Sequence, residues 1–144
     1  MADVHSKETR SYNMSKIRSK DTKPELLVRK FLHSQGFRYR LHVKQLPGKP
    51  DLVLPKYKTV ILIHGCFWHS HEGCHLSSIP KSNTEYWIPK LNRNTLRDHV
   101  NEKELTERGW YVVKLWECDL KKNKIEETFE RLLLSIVPSE NGKQ

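Results

Sequence analysis

The sequence predicts an α/β fold, a mixed central β-sheet flanked by helices, and three observations carry that prediction. Segments with helical spacing alternate with short β-rich runs in the order helix, three strands, helix, strand, helix. Residues 59–63 (Thr-Val-Ile-Leu-Ile) form an apolar, largely β-branched run, bounded by turn residues and too short for a helix, which suits a strand buried on both faces. At 144 residues the chain fits one domain that can bury a core without staples.

The elements follow in order. Residues 1–44 hold eleven Lys or Arg against four Asp or Glu, so most of the net charge of +9 sits there. Residues 1–20 are expected to act as a basic arm that grips DNA, because Ser11-Tyr12-Asn13-Met14-Ser15-Lys16-Ile17-Arg18 interleaves apolar side chains with the charges. Met14 and Ile17 are its candidate wedges between bases; a solvated basic tail is the alternative. A domain over residues 21–137 then opens with a capping box, Thr22-Lys23-Pro24-Glu25, followed by an apolar face of Leu26, Leu27, Phe31 and Leu32, and Gly36 as the stop. Glu25 has a structural task there as the cap.

Residues 37–43 alternate apolar and polar, the pattern of a half-buried strand, with His42 on its solvated face. Leu46-Pro47-Gly48-Lys49-Pro50 is a turn into a strand over residues 51–54, and residues 55–58 lead to the buried strand that ends at His64. Asp51 and His64 should therefore meet on neighbouring strand ends. Residues 65–79 have no period of either kind and form a long loop that needs something to hold it. Tyr86-Trp87-Ile88-Pro89 introduces a polar helix to about residue 108, with a thin stripe of Leu91, Thr95, Leu96, Val100 and Leu105. Residues 110–116 make a strand; Ile125, Phe129, Leu132, Leu133 and Ile136 fall on one face of a last helix; residues 138–144 are a polar tail.

A sequence pI near 9.5 points to a polyanionic partner, with ribosomes and membrane surfaces as other possible targets. No run has the length of a membrane span and the polar N-terminus lacks the core of a signal peptide, so a soluble intracellular protein without a membrane partner is expected. Three cysteines, an odd number, argue for reduced thiols rather than disulfides.

The chemistry gathers between residues 49 and 74. Cys66-x₄-His71-x₂-Cys74 with the distant Cys118 offers three thiolates and an imidazole, a tetrahedral set suited to a structural zinc, with His75 as the alternative to His71. Asp51, after Pro50, is a hard oxygen ligand for Mg²⁺. His69 is the candidate general base, with His64 as its rival and Asp98 to orient it. Phe67-Trp68 sits in a loop too polar to hide both rings, and Trp87 follows nearby.

Pro50-Asp51 on one strand and a second polar position on the next resemble the nuclease core of restriction endonucleases. Where that core has Asp or Glu, any residue, then Lys, this chain has Leu62-Ile63-His64, followed by Gly65-Cys66-Phe67-Trp68-His69. The replacement is similar to the very short patch repair (Vsr) mismatch endonucleases, from Met1-Ala2-Asp3-Val4-His5 through Trp116-Glu117-Cys118. The resemblance implies catalytic roles for Asp51, His64, His69, Asp98 and Glu25, and Mg²⁺ held by Asp51 and the main-chain carbonyl of Ile63. Zinc would lie on Cys66, His71, Cys74 and Cys118, with one extra residue (Glu72 or Gly73) between the second and third ligands. Phe67, Trp68 and Trp87, with Met14 and Ile17 from the arm, would open the duplex, while Lys90 and Asn94 match base-contacting positions. The implied activity is a nick 5′ of the T in T·G mispairs left by deaminated 5-methylcytosine. The implied setting is a monomer in the bacterial cytoplasm, associated with the nucleoid and acting with a MutL-type protein. A restriction-type enzyme cutting intact sites, and a zinc-stabilised module that binds DNA without cutting it, are the alternatives.

Overall fold

The computed structural model describes residues 22–136. Helix α1 (Lys23–Ser34) starts where the capping box places it: Thr22 is extended, and its Oγ1 accepts the Glu25 N–H at 3.4 Å. Strand β1 (Arg40–Leu41) pairs antiparallel with β2 (Leu52–Leu54), and β2 pairs antiparallel with β3 (Thr59–His64). The long helix α2 (Thr84–Glu107) then crosses over to β4 (Tyr111–Trp116), which runs parallel to β3, and α3 (Ile125–Ile136) is the last element described. The result is a four-stranded mixed sheet in the order β1-β2-β3-β4.

Strand alternation sorts the core into two layers. Leu52, Leu54, Ile61, Val113 and Leu115 project to the face covered by α1 and α3, where they meet Val28, Leu32, Leu132 and Ile136. Val53 and Val60 project to the other face, against Leu105 of α2. β2 and β3 are thus buried on both sides, as the unbroken apolar run at residues 59–63 requires.

Three expectations need correction. The strand over residues 37–43 shrinks to Arg40–Leu41, because His42 adopts a left-handed φ of 47° that ends the extended run. Leu26 is exposed rather than part of the α1 face, and the buried contacts of that helix come from Val28, Leu32 and Glu25. On α2 the buried positions are Leu91 and Leu105 alone, while Leu96 and Val100 face solvent. That helix also begins before Tyr86, at Thr84, and runs through Pro89. The proposed arm, with Met14 and Ile17, and the proposed tail lie outside the described residues. Among those described, no helix is long and apolar enough to cross a membrane.

Ile61 is fully buried in the middle strand pair. Ile61→Ala should lower the unfolding free energy by about 2–5 kcal/mol, read from the urea midpoint at unchanged m-value.

Candidate active site and metal centre

A cleft of about 340 Å³ opens beside the C-terminal end of β3, between the turn that precedes β2 and the middle of α2. Asp51 enters it from the start of β2. Because β2 and β3 are antiparallel, the start of one lies beside the end of the other, and the Ile63 N–H donates to Asp51 Oδ2 at 2.8 Å. Burial pushes the Asp51 carboxyl up from 3.8 to about 7; the Ile63 N–H opposes that shift and the Glu25 carboxyl adds to it. Glu25, Asp51 and His42 bring ligand atoms within 4.8 Å of one another. Arg29 backs the group, with its Nη2 3.2 Å from Glu25 Oε2 and 3.1 Å from His42 Nε2.

His64 and His69 stack in parallel with ring centroids 3.8 Å apart, and His69 Nδ1 lies 2.6 Å from Asp98 Oδ2. A carboxylate accepts, so Nδ1 carries a proton, and in the neutral ring the lone pair is then on Nε2. His64 differs. Burial, followed by repulsion from His69, lowers it to about 3, so its ring is neutral across the physiological range. Its buried Nδ1 has no hydrogen-bond partner among the described residues. Asp98 reaches the histidines from the middle of α2, where that helix faces the cleft instead of the core.

Beyond β3 the chain turns through Cys66, and beyond β4 it turns through Cys118. The strands are parallel with His64 beside Trp116, so the two turns come off the sheet together. Cys66, His71, Cys74 and Cys118 bring their sulfur and nitrogen atoms within 4.8 Å of one another, with His71 Nδ1 3.4 Å from Cys118 Sγ. The His71 ring stacks on Trp116 at 4.0 Å. Gly73, at φ +73°, turns the chain between His71 and Cys74. His75 is exposed, outside this convergent set.

An aromatic cluster lies next along the loop. Phe67, Trp68 and Trp87 have ring centroids 5.1 to 5.8 Å apart, and Tyr86 packs edge-on to Trp87 at 4.9 Å. Trp68 is 38% exposed and Tyr86 58%. The Asn94 side-chain amide donates to the Trp68 carbonyl at 3.1 Å, and Lys90 Nζ lies 5.9 Å from the Tyr86 ring centre.

The model of the family described as DNA mismatch endonuclease Vsr matches residues 2–75. The type II nicking enzyme V.NmeAIP of Neisseria meningitidis serogroup A is 53% identical over 137 residues, 94% of this chain and 97% of that protein. The DNA mismatch endonuclease Vsr of Escherichia coli K12 is 45% identical over 121 residues, 84% of this chain and 77% of its own. The type II nicking enzyme V.XorIIP of Xanthomonas oryzae is 49% identical over 120 residues, 83% of this chain and 88% of its own. The chain belongs to the Vsr family.

As a Vsr-family protein it is a DNA endonuclease, and a module that only binds DNA is set aside. Of the expected catalytic residues, the structure joins His64, His69 and Asp98 in one group and Glu25 and Asp51 in another. Asp51, His64, His69 and Asp98 line one cleft. Glu25 holds two positions at once: its N–H is capped by Thr22, while its buried carboxyl faces Arg29, His42 and Asp51. His42 is a correction. Its ring is 15% exposed rather than solvated, because the left-handed turn at this residue swings it towards Glu25. Sequence reasoning also missed Arg29 and Tyr86; spacing four residues beyond Glu25 was the available signal for Arg29.

Asp51 provides a test. A carboxyl raised from 3.8 to about 7 leaves the folded state holding more protons than the unfolded state between those values, so its burden on stability grows as pH rises and is complete above about 7. Without added divalent cation, Asp51→Asn should raise the unfolding free energy by on the order of 1–2 kcal/mol at about pH 8. That gain should shrink towards about pH 4 in urea titrations.

Proposed function

We propose that this Vsr-family endonuclease cuts one strand of duplex DNA on the 5′ side of the T in a T·G mispair, starting repair of deaminated 5-methylcytosine. The observation that carries the reading is one cleft holding Asp51 together with the His69–Asp98 pair, beside a partly exposed cluster of Phe67, Trp68 and Trp87. The names of the E. coli and Neisseria relatives, a mismatch endonuclease and a nicking enzyme, support it.

His69 Nε2 takes a proton from the attacking water, and Asp98 holds Nδ1–H and stabilises the imidazolium that forms. Neutral His64 stacks on His69 and holds the plane of that ring. Asp51 fits a hard cation, since a buried carboxylate with a raised pKa and a carboxyl neighbour gains from a positive charge. Asp51 and the Ile63 carbonyl would hold Mg²⁺, which supplies charge neutralisation at the phosphoryl oxygens. Glu25 supports Asp51 from α1.

Phe67, Trp68 and Trp87 enter the major groove at the mispair, and Met14 and Ile17 of the arm enter the minor groove. A T·G pair is cheaper to unstack than a Watson–Crick pair, so insertion itself discriminates. Lys90 reaches bases from α2, while Asn94 anchors the Trp68 segment beside them. The donor set of Cys66, His71, Cys74 and Cys118 fits a structural Zn²⁺, because three thiolates and an imidazole converge within 4.8 Å of one another and four such protein ligands would complete a tetrahedral shell. The family resemblance further supports a restriction-endonuclease-like core, a monomer, a MutL-type partner, and a place with the nucleoid in the bacterial cytoplasm.

End-labelled duplexes with a central T·G or T·A pair test this in Mg²⁺. A nick in the T strand of the T·G duplex alone is expected, with Asp51→Ala and His69→Ala each slower by roughly 10²–10⁴-fold. Equal cutting of both duplexes would point to a restriction-type enzyme instead. Elemental analysis should find zinc in the purified protein, and its removal or Cys118→Ser should lower the thermal midpoint; a metal-free protein of equal stability would refute the zinc assignment.

A further inference from the structure

A phosphodiester that enters the cleft brings negative charge next to Asp51 and Asp98, and restriction-type cores meet that charge with a lysine that Leu62-Ile63-His64 does not supply. Among the described residues lining this cleft, the fixed cations are Lys49 and Arg97. Neither forms an ion pair with a described residue. They differ in how they are held. Arg97 projects from the surface of a helix, whereas Lys49 stands at the end of a tight, packed turn.

That turn has two features that turn chemistry explains and one that it does not. The Lys49 N–H donates to the Leu46 carbonyl at 3.1 Å, with Pro47 and Gly48 between them and Gly48 at φ +74°. Pro followed by a left-handed glycine is the pattern of a type II turn. Gly48 also abuts α2: a β-carbon there would lie 2.9 Å from Asn101 Nδ2 and 3.0 Å from Asn101 Cβ. Lys49 itself is left-handed, at φ +47°, a conformation that a β-carbon disfavours and that this turn type does not ask of its last residue. The strain falls on the lysine that lines the cleft, directly before the fully buried Pro50 and the half-buried Asp51.

We infer that Lys49 binds a phosphate of the cut strand in the cleft, standing in for the lysine that the β3 end lacks. Gly48, locked against Asn101, is the positioning residue that aims it. This rests on the cleft being the nuclease centre proposed above. An exposed ammonium gains little from a surface partner, but at a phosphate between the cleft walls it is worth far more because charge develops there during cleavage.

The test uses the full chain with Lys49→Ala, Lys49→Arg, Gly48→Ala and the Gly48→Ala/Lys49→Ala double variant. Single-turnover nicking of a T·G duplex should fall by roughly 10²-fold in Lys49→Ala, with most of the rate restored in Lys49→Arg. Urea midpoints should match wild type for both. Gly48→Ala should lose rate while keeping the lysine, and should add no further loss in the Lys49→Ala background. The slope of log affinity for duplex DNA against log salt should fall by about 0.9 in Lys49→Ala. A Lys49→Ala enzyme within about twofold of the wild-type rate, or a loss that arginine does not restore, overturns the assignment. If the wild type cuts no T·G duplex, the functional reading fails instead, and the salt slope still decides Lys49: an unchanged slope overturns it.

Discussion

The parallel pairing of β3 with β4 is the constraint on which the site depends. Its register sets Ile63 beside Leu115 and His64 beside Trp116, so both strands leave the sheet at one level. Two residues past each strand end stands a cysteine, and the Cys66 N–H donates to Glu117 Oε1 at 3.2 Å between the departing chains. Parallel strands need a crossover, and here α2 supplies it. The same pairing therefore gathers the Cys/His cluster, orients His64 and requires the helix that carries Asp98.

That crossover helix divides its surface between two tasks. Leu91 and Leu105 anchor it, and the stretch between them gives Asp98 and Asn101 to the cleft while Leu96 and Val100 stay exposed. A helix whose middle lines a polar cleft cannot also bury an apolar stripe there. This explains why spacing overestimated its core contacts.

Charge in the cleft is held away from its preferred state. A carboxyl raised to about 7 and an imidazole lowered to about 3 sit beside the same strand end, both through burial first. Asp51 lowers the stability of the free protein as pH rises above about 3.8, and His64 as pH falls below about 6.5. Such groups suit a site in which a cation and a phosphate arrive together. The His69–Asp98 pair is the complement: a hydrogen bond fixes one nitrogen and leaves the other available. The separation of a neutral stacking histidine from an oriented one is set by their surroundings, since the residue types are identical.

Much of this protein was legible as sequence. The capping box, the doubly buried run at residues 59–63, the spacing of the last helix and the spread of Cys, His and Cys about the loop are local signals, and local signals survive in one dimension. Pro50-Asp51 and the histidine-rich segment carried the family resemblance. The tertiary structure decided what depends on distance across the chain: that His71 rather than His75 joins Cys118, that Asp98 selects His69, and that His42 turns inward to Glu25. Whether the rings of Phe67, Trp68, Tyr86 and Trp87 formed one cluster was likewise decided by the loop packing on α2. The physical reason is that burial, which sets both the charge state and the partner of each group, is a property of neighbours from distant parts of the chain, and periodicity records only which face a residue would take.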